Sequence, residues 1–280
     1  MKAINIEVPN RLKPFVKRFW YAKIDIDNYE HMNYRILADG AQGIIFQHNN
    51  GNSVLYNGLD HRKLPIGFIY GQKTNVPCVN YFNADAQLFG VDFYPTAFQK
   101  IFNINAAELT NTLVNADELL PIYFTEQLVE LNLAEEKAQL LIKYFLSKIE
   151  NCDSDTLVDY CVNEIIRVSG TIANSKDWAD KYDISQRTFQ RRFKKRVGIN
   201  METFGRIIKF QKSVQLLQRH RFTKLSDVAY MLNYADQSHF CRDFRLFAGC
   251  SPKFFVTHSY PTILENSTQC FDTTRIIKIE

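Results

Sequence analysis

Four side chains within fourteen residues are of types that could do one kind of chemistry. In DISQRTFQRRFKKR, Asp183 to Arg196, the residues Arg187, Gln190, Arg191 and Lys194 are long hydrogen-bonding groups, and three of them are cationic. Arg and Lys match guanine O6 and N7, Gln matches adenine N6 and N7, and all four can hold a phosphate. Each residue advances about 100° around an α-helix, so these four share about a third of its circumference. Phe189, Phe193 and Val197 form an apolar row on the opposite side, suited to a core. Ser185 stands where an N-cap belongs and Gly198 where a C-cap belongs. A solvated surface helix has the same composition and is the plain alternative for an isolated segment.

The elements that would position this stripe are legible around it. SKDWADKYDIS predicts a helix over Ser175–Lys181 and a tight turn at Tyr182–Ile184, with Trp178, Ala179 and Tyr182 inward. Helix, short turn and a basic second helix make a helix-turn-helix pattern. The pattern then repeats: residues 184–198 align with ADQSHFCRDFRLFAG, residues 235–249, at an offset of 51. Phe189 meets Phe240, Arg191 meets Arg242, Phe193 meets Phe244, and Gly198 meets Gly249. Trp178-Ala179 meets Val228-Ala229 at an offset of 50, so the second turn is one residue longer. Asp236 takes the N-cap, and the second outward stripe is Gln237, Ser238, Cys241, Arg242 and Arg245. Between the units, Asn200 can cap a helix of about 18 residues, roughly 27 Å long. Successive major-groove entries on one face of a duplex lie about 34 Å apart, and a rod of that length suits them.

Residues 172–258 thus resemble the DNA-binding domain of AraC/XylS-type transcriptional regulators. The resemblance is carried by Trp178-Ala179, Ser185-x-Arg187-x-Phe189-Gln190-Arg191-x-Phe193, Leu225-Ser226-Asp227-Val228-Ala229, Asp236-Gln237-Ser238-His239-Phe240-x-Arg242-x-Phe244-Arg245, and Ser251-Pro252-x-x-Phe255. It covers a little under a third of the chain. Asn233 departs from the usual glycine after the first helix of the second unit, and Asn tolerates a left-handed backbone better than most residues. The resemblance implies a transcription factor with two helix-turn-helix units reading adjacent major grooves, through Arg187, Gln190, Arg191, Lys194, Gln237, Ser238, Arg242 and Arg245. The implied partners are promoter or operator duplex DNA, and RNA polymerase if the chain activates.

Charge points the same way without the resemblance. Residues 171–258 carry 17 Lys+Arg and 7 Asp+Glu, a net of +10, whereas the remainder is −6. Such segregation is the electrostatic footprint of a duplex binder. Six scattered cysteines without a C-x-x-C pair, no signal peptide and no apolar run of membrane length predict a cytoplasmic chain with no membrane role.

The first 118 residues read as an antiparallel β-barrel or sandwich-like domain, so the chain as a whole is α+β. YRILADGAQGIIFQH, GNSVLYNG, LPIGFIYGQ and AQLFGVDFYP are short, β-branched or aromatic, and broken by Gly, Asn and Pro. This part resembles the small sensor domains that precede such DNA-binding units. Pro14-Phe15-Val16 with Trp20, the Ala38-Asp39-Gly40 turn and Gly90-Val91-Asp92-Phe93-Tyr94-Pro95 resemble one group without a known ligand, several of whose members have Pro at Ala38. Trp20, Phe46, Phe68, Tyr70, Phe89 and Phe93 could line a pocket for a small-molecule effector, or simply fill the core, which is the favoured reading for most of them.

Residues 119–171 read as a helical connector, for packing on the β-domain or for homodimerisation. Its second helix is expected to present Leu157, Tyr160, Cys161, Glu164 and Ile165 on one side. The extension 259–280 ends in TRIIKIE, which looks like a strand.

Enzymatic readings are weak. His31, His48 and His61 are too far apart for the usual paired metal ligands. Cys78 follows a proline, as in some DNA-repair alkyl acceptors joined to this module, but no histidine adjoins it to make a thiolate, so it reads as a strand residue. No Ser-His-Asp cluster, phosphate loop or dinucleotide glycine pattern occurs, and no cofactor is expected. A DNA-targeted modifying enzyme and a regulator with a purely structural N-terminal domain remain the alternatives.

Overall fold

The computed structural model describes residues 2–26, 32–75, 77–121, 123–150, 154–171, 174–219, 222, 224–257 and 269–272. Its strands are β1 (Lys2–Ile6), β2 (Val16–Ile24), β3 (Met32–Ile36), β4 (Gln42–His48), β5 (Leu55–Asn57), β6 (Gly67–Tyr70), β7 (Cys78–Phe82), β8 (Ala86–Phe93), β9 (Leu113–Asn115) and β10 (Gln269–Asp272). They form two antiparallel sheets, ordered β1-β2-β8-β4-β6-β9 and β10-β3-β7-β5. The architecture is therefore two open, stacked sheets and not a closed barrel. β10 belongs to the C-terminal extension and pairs with β3, Gln269 opposite Ile36. TRIIKIE lies outside the described residues.

Strand alternation divides the larger sheet's side chains between two cores. Trp20, Ala22, Ile45, Phe68, Tyr70 and Leu88 face the smaller sheet, with Tyr34 and Phe82 from that sheet. Phe19, Ile44, Phe46, Phe89, Val91 and Phe93 face the helical side. Trp20 lies directly opposite Gly90, and Tyr70 opposite Gly43. A Cβ on either glycine would overlap the facing ring, so these two positions admit the aromatics only as glycine.

The helices are α1 (Ala97–Phe102), α2 (Phe124–Glu130), α3 (Ala134–Ile149), α4 (Thr156–Arg167), α5 (Ser175–Lys181), α6 (Gln186–Val197), α7 (Met201–Gln218), α8 (Leu225–Met231), α9 (Gln237–Ala248) and α10 (Pro252–Thr257). The connector divides its allegiance. α3 buries Ala138, Leu141 and Phe145 against the larger sheet. α4 buries Leu157, Val158, Cys161, Val162 and Ile165 in the core of the C-terminal helices. That face differs from the expected one: Tyr160 is 45% exposed, and Glu164 pairs with Arg167 at 2.7 Å near the surface. Trp178 holds the Tyr160 ring edge-on at 5.8 Å, which draws it away from the α4 core.

Candidate nucleic-acid interface

Each helix-turn-helix unit is built from local signals. In the first, Asn174 caps α5 through Lys176 and Asp177 N–H, and Ser185 Oγ accepts from Thr188 N–H at 3.1 Å to start α6. Asp183, at φ +50°, makes the turn left-handed, and Ile184 N–H returns to Ala179 O. In the second, Asn233 has φ +55°, and Tyr234 N–H returns to Ala229 O at 2.9 Å. The Asn therefore adopts the left-handed backbone a glycine would. Asp236 Oδ1 accepts from His239 N–H at 2.7 Å and starts α9. Phe189, Phe193, Phe240 and Phe244 are fully buried. α7, capped by Asn200, runs between the units for 18 residues.

The six basic residues of α6 separate by role. Arg187, Arg191, Lys194 and Lys195 are exposed on α6. Arg192 turns back to grip Asp155, the N-cap of α4, at 2.7 and 2.8 Å. Arg196 is buried and donates to Gln99 Oε1 at 2.8 Å. Gln190 is exposed and donates to Ser175 Oγ at 3.1 Å. Ser185, Arg187, Gln190, Arg191 and Lys194, with Asn200 and Glu202, line one shallow depression of about 610 Å³. In the second unit Gln237, Ser238, Arg242 and Arg245 are all exposed on α9. Arg206 of α7 grips the buried Asp243 at 2.7 and 3.1 Å and locks that helix in place. Position 243 corresponds to 192 at the repeat offset, so both recognition helices are fastened at the same site by an Arg–carboxylate fork, with the charges exchanged.

The six aromatics proposed as a pocket wall do not come together. Trp20, Phe68 and Tyr70 lie between the sheets, and Phe46, Phe89 and Phe93 on the helical side. All six are at most 2% exposed. Trp20 Nε1 and the Tyr70 hydroxyl both donate to Asp92 Oδ1, at 3.1 and 2.9 Å, and Arg18 donates to the other oxygen. Burial and the adjacent Asp92 charge hold the Tyr70 phenol well above its ordinary range. Asp92 thus organises the interior of the β-domain, a role the reading of GVDFYP as a motif did not assign; a lone acid among strand apolars was the available signal. Cys78 opens β7, half-buried, its thiol donating to Asn80 Oδ1 at 3.5 Å and its pKa raised by burial.

The two domains meet at the recognition helices. Gln42 Nε2 donates to Val197 O at 3.1 Å, and Thr110 Oγ1 to Gly198 O at 2.7 Å, so β-domain side chains satisfy carbonyls at the end of α6. Gly198 (φ +97°) lies against the Ala106 carbonyl, where a Cβ would sit at 3.0 Å. Gly249, which ends α9, lies against Pro77. Leu37 and Ala38 enter the C-terminal core, and Gln211 of α7 donates to the Ala38 carbonyl. Beside that turn lies a cleft of about 270 Å³, lined by Lys17, Asp39 and Tyr94 on one domain and by Ile208, Lys212 and Gln215 of α7 on the other. Burial raises the Asp39 carboxyl to about 6, against the opposing pull of Lys17. Among the described residues no group of acidic, histidine and cysteine side chains could hold a metal ion, and no helix is long and apolar enough to cross a membrane.

Residues 178–257 match the family described as helix-turn-helix domain, and residues 5–115 match a domain of unknown function, DUF6597. With paired, capped units around one connecting helix, the C-terminal module is an AraC-type helix-turn-helix domain. It is 30% identical over 84 residues to the HTH-type transcriptional activator RhaS of Escherichia coli O1:K1, an alignment covering 29% of this chain. The chain spans about 30% of the length of the curated relatives it matches. Among solved structures, ToxT from Vibrio cholerae O395 covers 88% of this chain and 98% of its own, at 12% identity and a TM-score of 0.45. The C-terminal domain of AraT, a response regulator from Geobacillus stearothermophilus, covers 37% and 85% respectively, at 19% identity and a TM-score of 0.34.

Proposed function

We propose that the chain is a sequence-specific, DNA-binding transcriptional regulator without enzymatic activity, acting in the cytoplasm. The observation that carries this reading is the pair of exposed polar stripes, Arg187, Gln190, Arg191, Lys194 and Gln237, Ser238, Arg242, Arg245, on two helices fastened to one 18-residue rod. The basic excess of the module supplies the sequence-independent attraction to phosphate, and the stripes supply the reading of base edges.

Control enters through the domain junction. The Ala38–Gly40 turn rests on α7, and the adjacent cleft is large enough for a compact small molecule. An effector there would press on the rod that sets the distance between the two reading helices. The cleft supports an effector site at the junction in preference to one among the six buried aromatics. A homodimer and contact with RNA polymerase are further parts of this reading.

Selection of bound sites from random duplex DNA, with the winners titrated at several salt concentrations, tests it. The expected result is an enriched site with two boxes about 10 base pairs apart and a steep salt slope. Salt-sensitive binding with no enriched site would leave only phosphate attachment and overturn the regulator reading.

A further inference from the structure

A separate feature lies on the helical side of the larger sheet, away from the domain junction. His48 ends β4 and is 6% exposed; Lys137, in the first turn of α3, is 2% exposed. Both line a crevice walled by Tyr21, Phe46, Phe89 and Leu128, whose volume is about 10 Å³. That is room for one body the size of a water molecule.

The polar groups around this space are mostly donors. Gly51 N–H contacts His48 Nδ1 at 3.4 Å, which places the ring proton on Nε2. Nε2 is buried and has no partner among the described residues. The Lys137 ammonium donates to the Leu128 carbonyl, leaving two further protons. Gln87, at the rim, presents Oε1 to the Tyr21 hydroxyl at 3.1 Å, so its amide nitrogen is a third donor. The residues lining the crevice include no carboxylate. Glu136, the nearest acid along α3, is exposed and accepts from Leu133 N–H. Burial lowers Lys137 to about 8; burial and the Lys137 charge together lower His48 to about 4.

A buried cation needs a counter-charge, and a buried donor without a partner needs an acceptor. Water would accept from both donors but leave the Lys137 charge uncompensated. We propose that this crevice binds one small monovalent anion of chloride size, held between the Lys137 ammonium and His48 Nε2–H. The narrowness of the crevice favours a small monatomic anion over sulfate, phosphate and effector-sized carboxylates. A bound anion would tie the end of β4 to the α2–α3 corner and stabilise the folded chain by mass action.

The test is thermal unfolding of the full chain at constant ionic strength, with gluconate replaced stepwise by chloride. The expected result is a midpoint that rises and saturates with chloride and with bromide, but not with acetate or sulfate. Lys137→Met and His48→Phe should each abolish the saturable rise. Equal midpoints in chloride and gluconate, a rise that survives both substitutions, or a rise with acetate equal to that with chloride would overturn the assignment. If either variant fails to fold, bromide-soaked crystals of the unaltered chain decide: an anomalous peak within hydrogen-bonding distance of His48 Nε2 supports the site, and an empty crevice overturns it.

Discussion

The Thr110 hydroxyl donates to the Gly198 carbonyl across 2.7 Å, so one domain finishes the recognition helix of the other. Thr110→Val keeps the shape and removes the donor. The expected cost is about 1 kcal/mol, the usual net value of one hydrogen bond whose acceptor is left partly buried. Chemical denaturation of the full chain measures it. Amide exchange at the end of α6 should quicken in the same variant, while the helix start, held by Ser185, should not change.

Asp92 is 1% exposed and accepts from Arg18, Trp20 and Tyr70. Asp92→Ala would remove the carboxylate that Arg18, Trp20 and Tyr70 share. A loss of about 3–5 kcal/mol is expected, as when one partner of a buried ion pair is removed. Urea unfolding reports it, and Asp92→Asn should recover part of the loss because an acceptor oxygen remains.

Acid stability should combine two opposed contributions. His48 is lowered from 6.5 to about 4 by burial and by Lys137, so the unfolded chain takes up a proton first. Its contribution is present above pH 6.5 and is lost as pH falls toward 4. Asp39 is raised from 3.8 to about 6 by burial, partly opposed by Lys17 and Arg18 and reinforced by Asp92, so here the folded chain takes up the proton first. Its contribution is present below pH 3.8 and is lost as pH rises through 6. Asp39→Asn should therefore steepen the fall in melting temperature between pH 6.5 and 4, and His48→Gln should flatten it.

Arg191 and Arg192 are neighbours, one exposed and the other turned back to Asp155. Arg191→Ala should weaken operator binding by about 1–3 kcal/mol and relax preference at one base pair if it reads a base edge. An equal loss on random DNA would assign it to phosphate. Arg192→Ala removes the fork on Asp155, where Arg192 is 38% exposed, so its expected effect is a modest loss of stability, about 1 kcal/mol, with base preference unchanged. Fluorescence anisotropy on matched and mismatched duplexes separates the two.

The helical module was legible because its rules are local. A cap is decided within three residues, which is why Ser185, Asn200 and Asp236 announce their helices. The buried rows follow from helical period alone. α4 shows where this fails: Leu157, Cys161 and Ile165 were readable, but Val158 and Val162 on one flank compete with Tyr160 and Glu164 on the other. Trp178, eighteen residues along from Tyr160, settles the choice. The β-domain was less legible because a strand residue's face depends on register with distant partners. Trp20 and Phe93 look alike in sequence, yet they lie in different cores. The junction left even less trace, since Gln42, Gln99 and Thr110 are ordinary polar residues until folding brings them to the end of α6.

Work is divided sharply around the circumference of α6. Arg187, Arg191 and Lys194 face solvent, while Phe189, Phe193, Val197, Arg192 and Arg196 carry the packing and the fastening. If the outward side chains read DNA as proposed, preference for a DNA site and integrity of the fold are separately heritable. A lineage could exchange the outward side chains and take over a different set of genes without first repairing its stability, whereas a change on the inner side would be purged before any new site was tried.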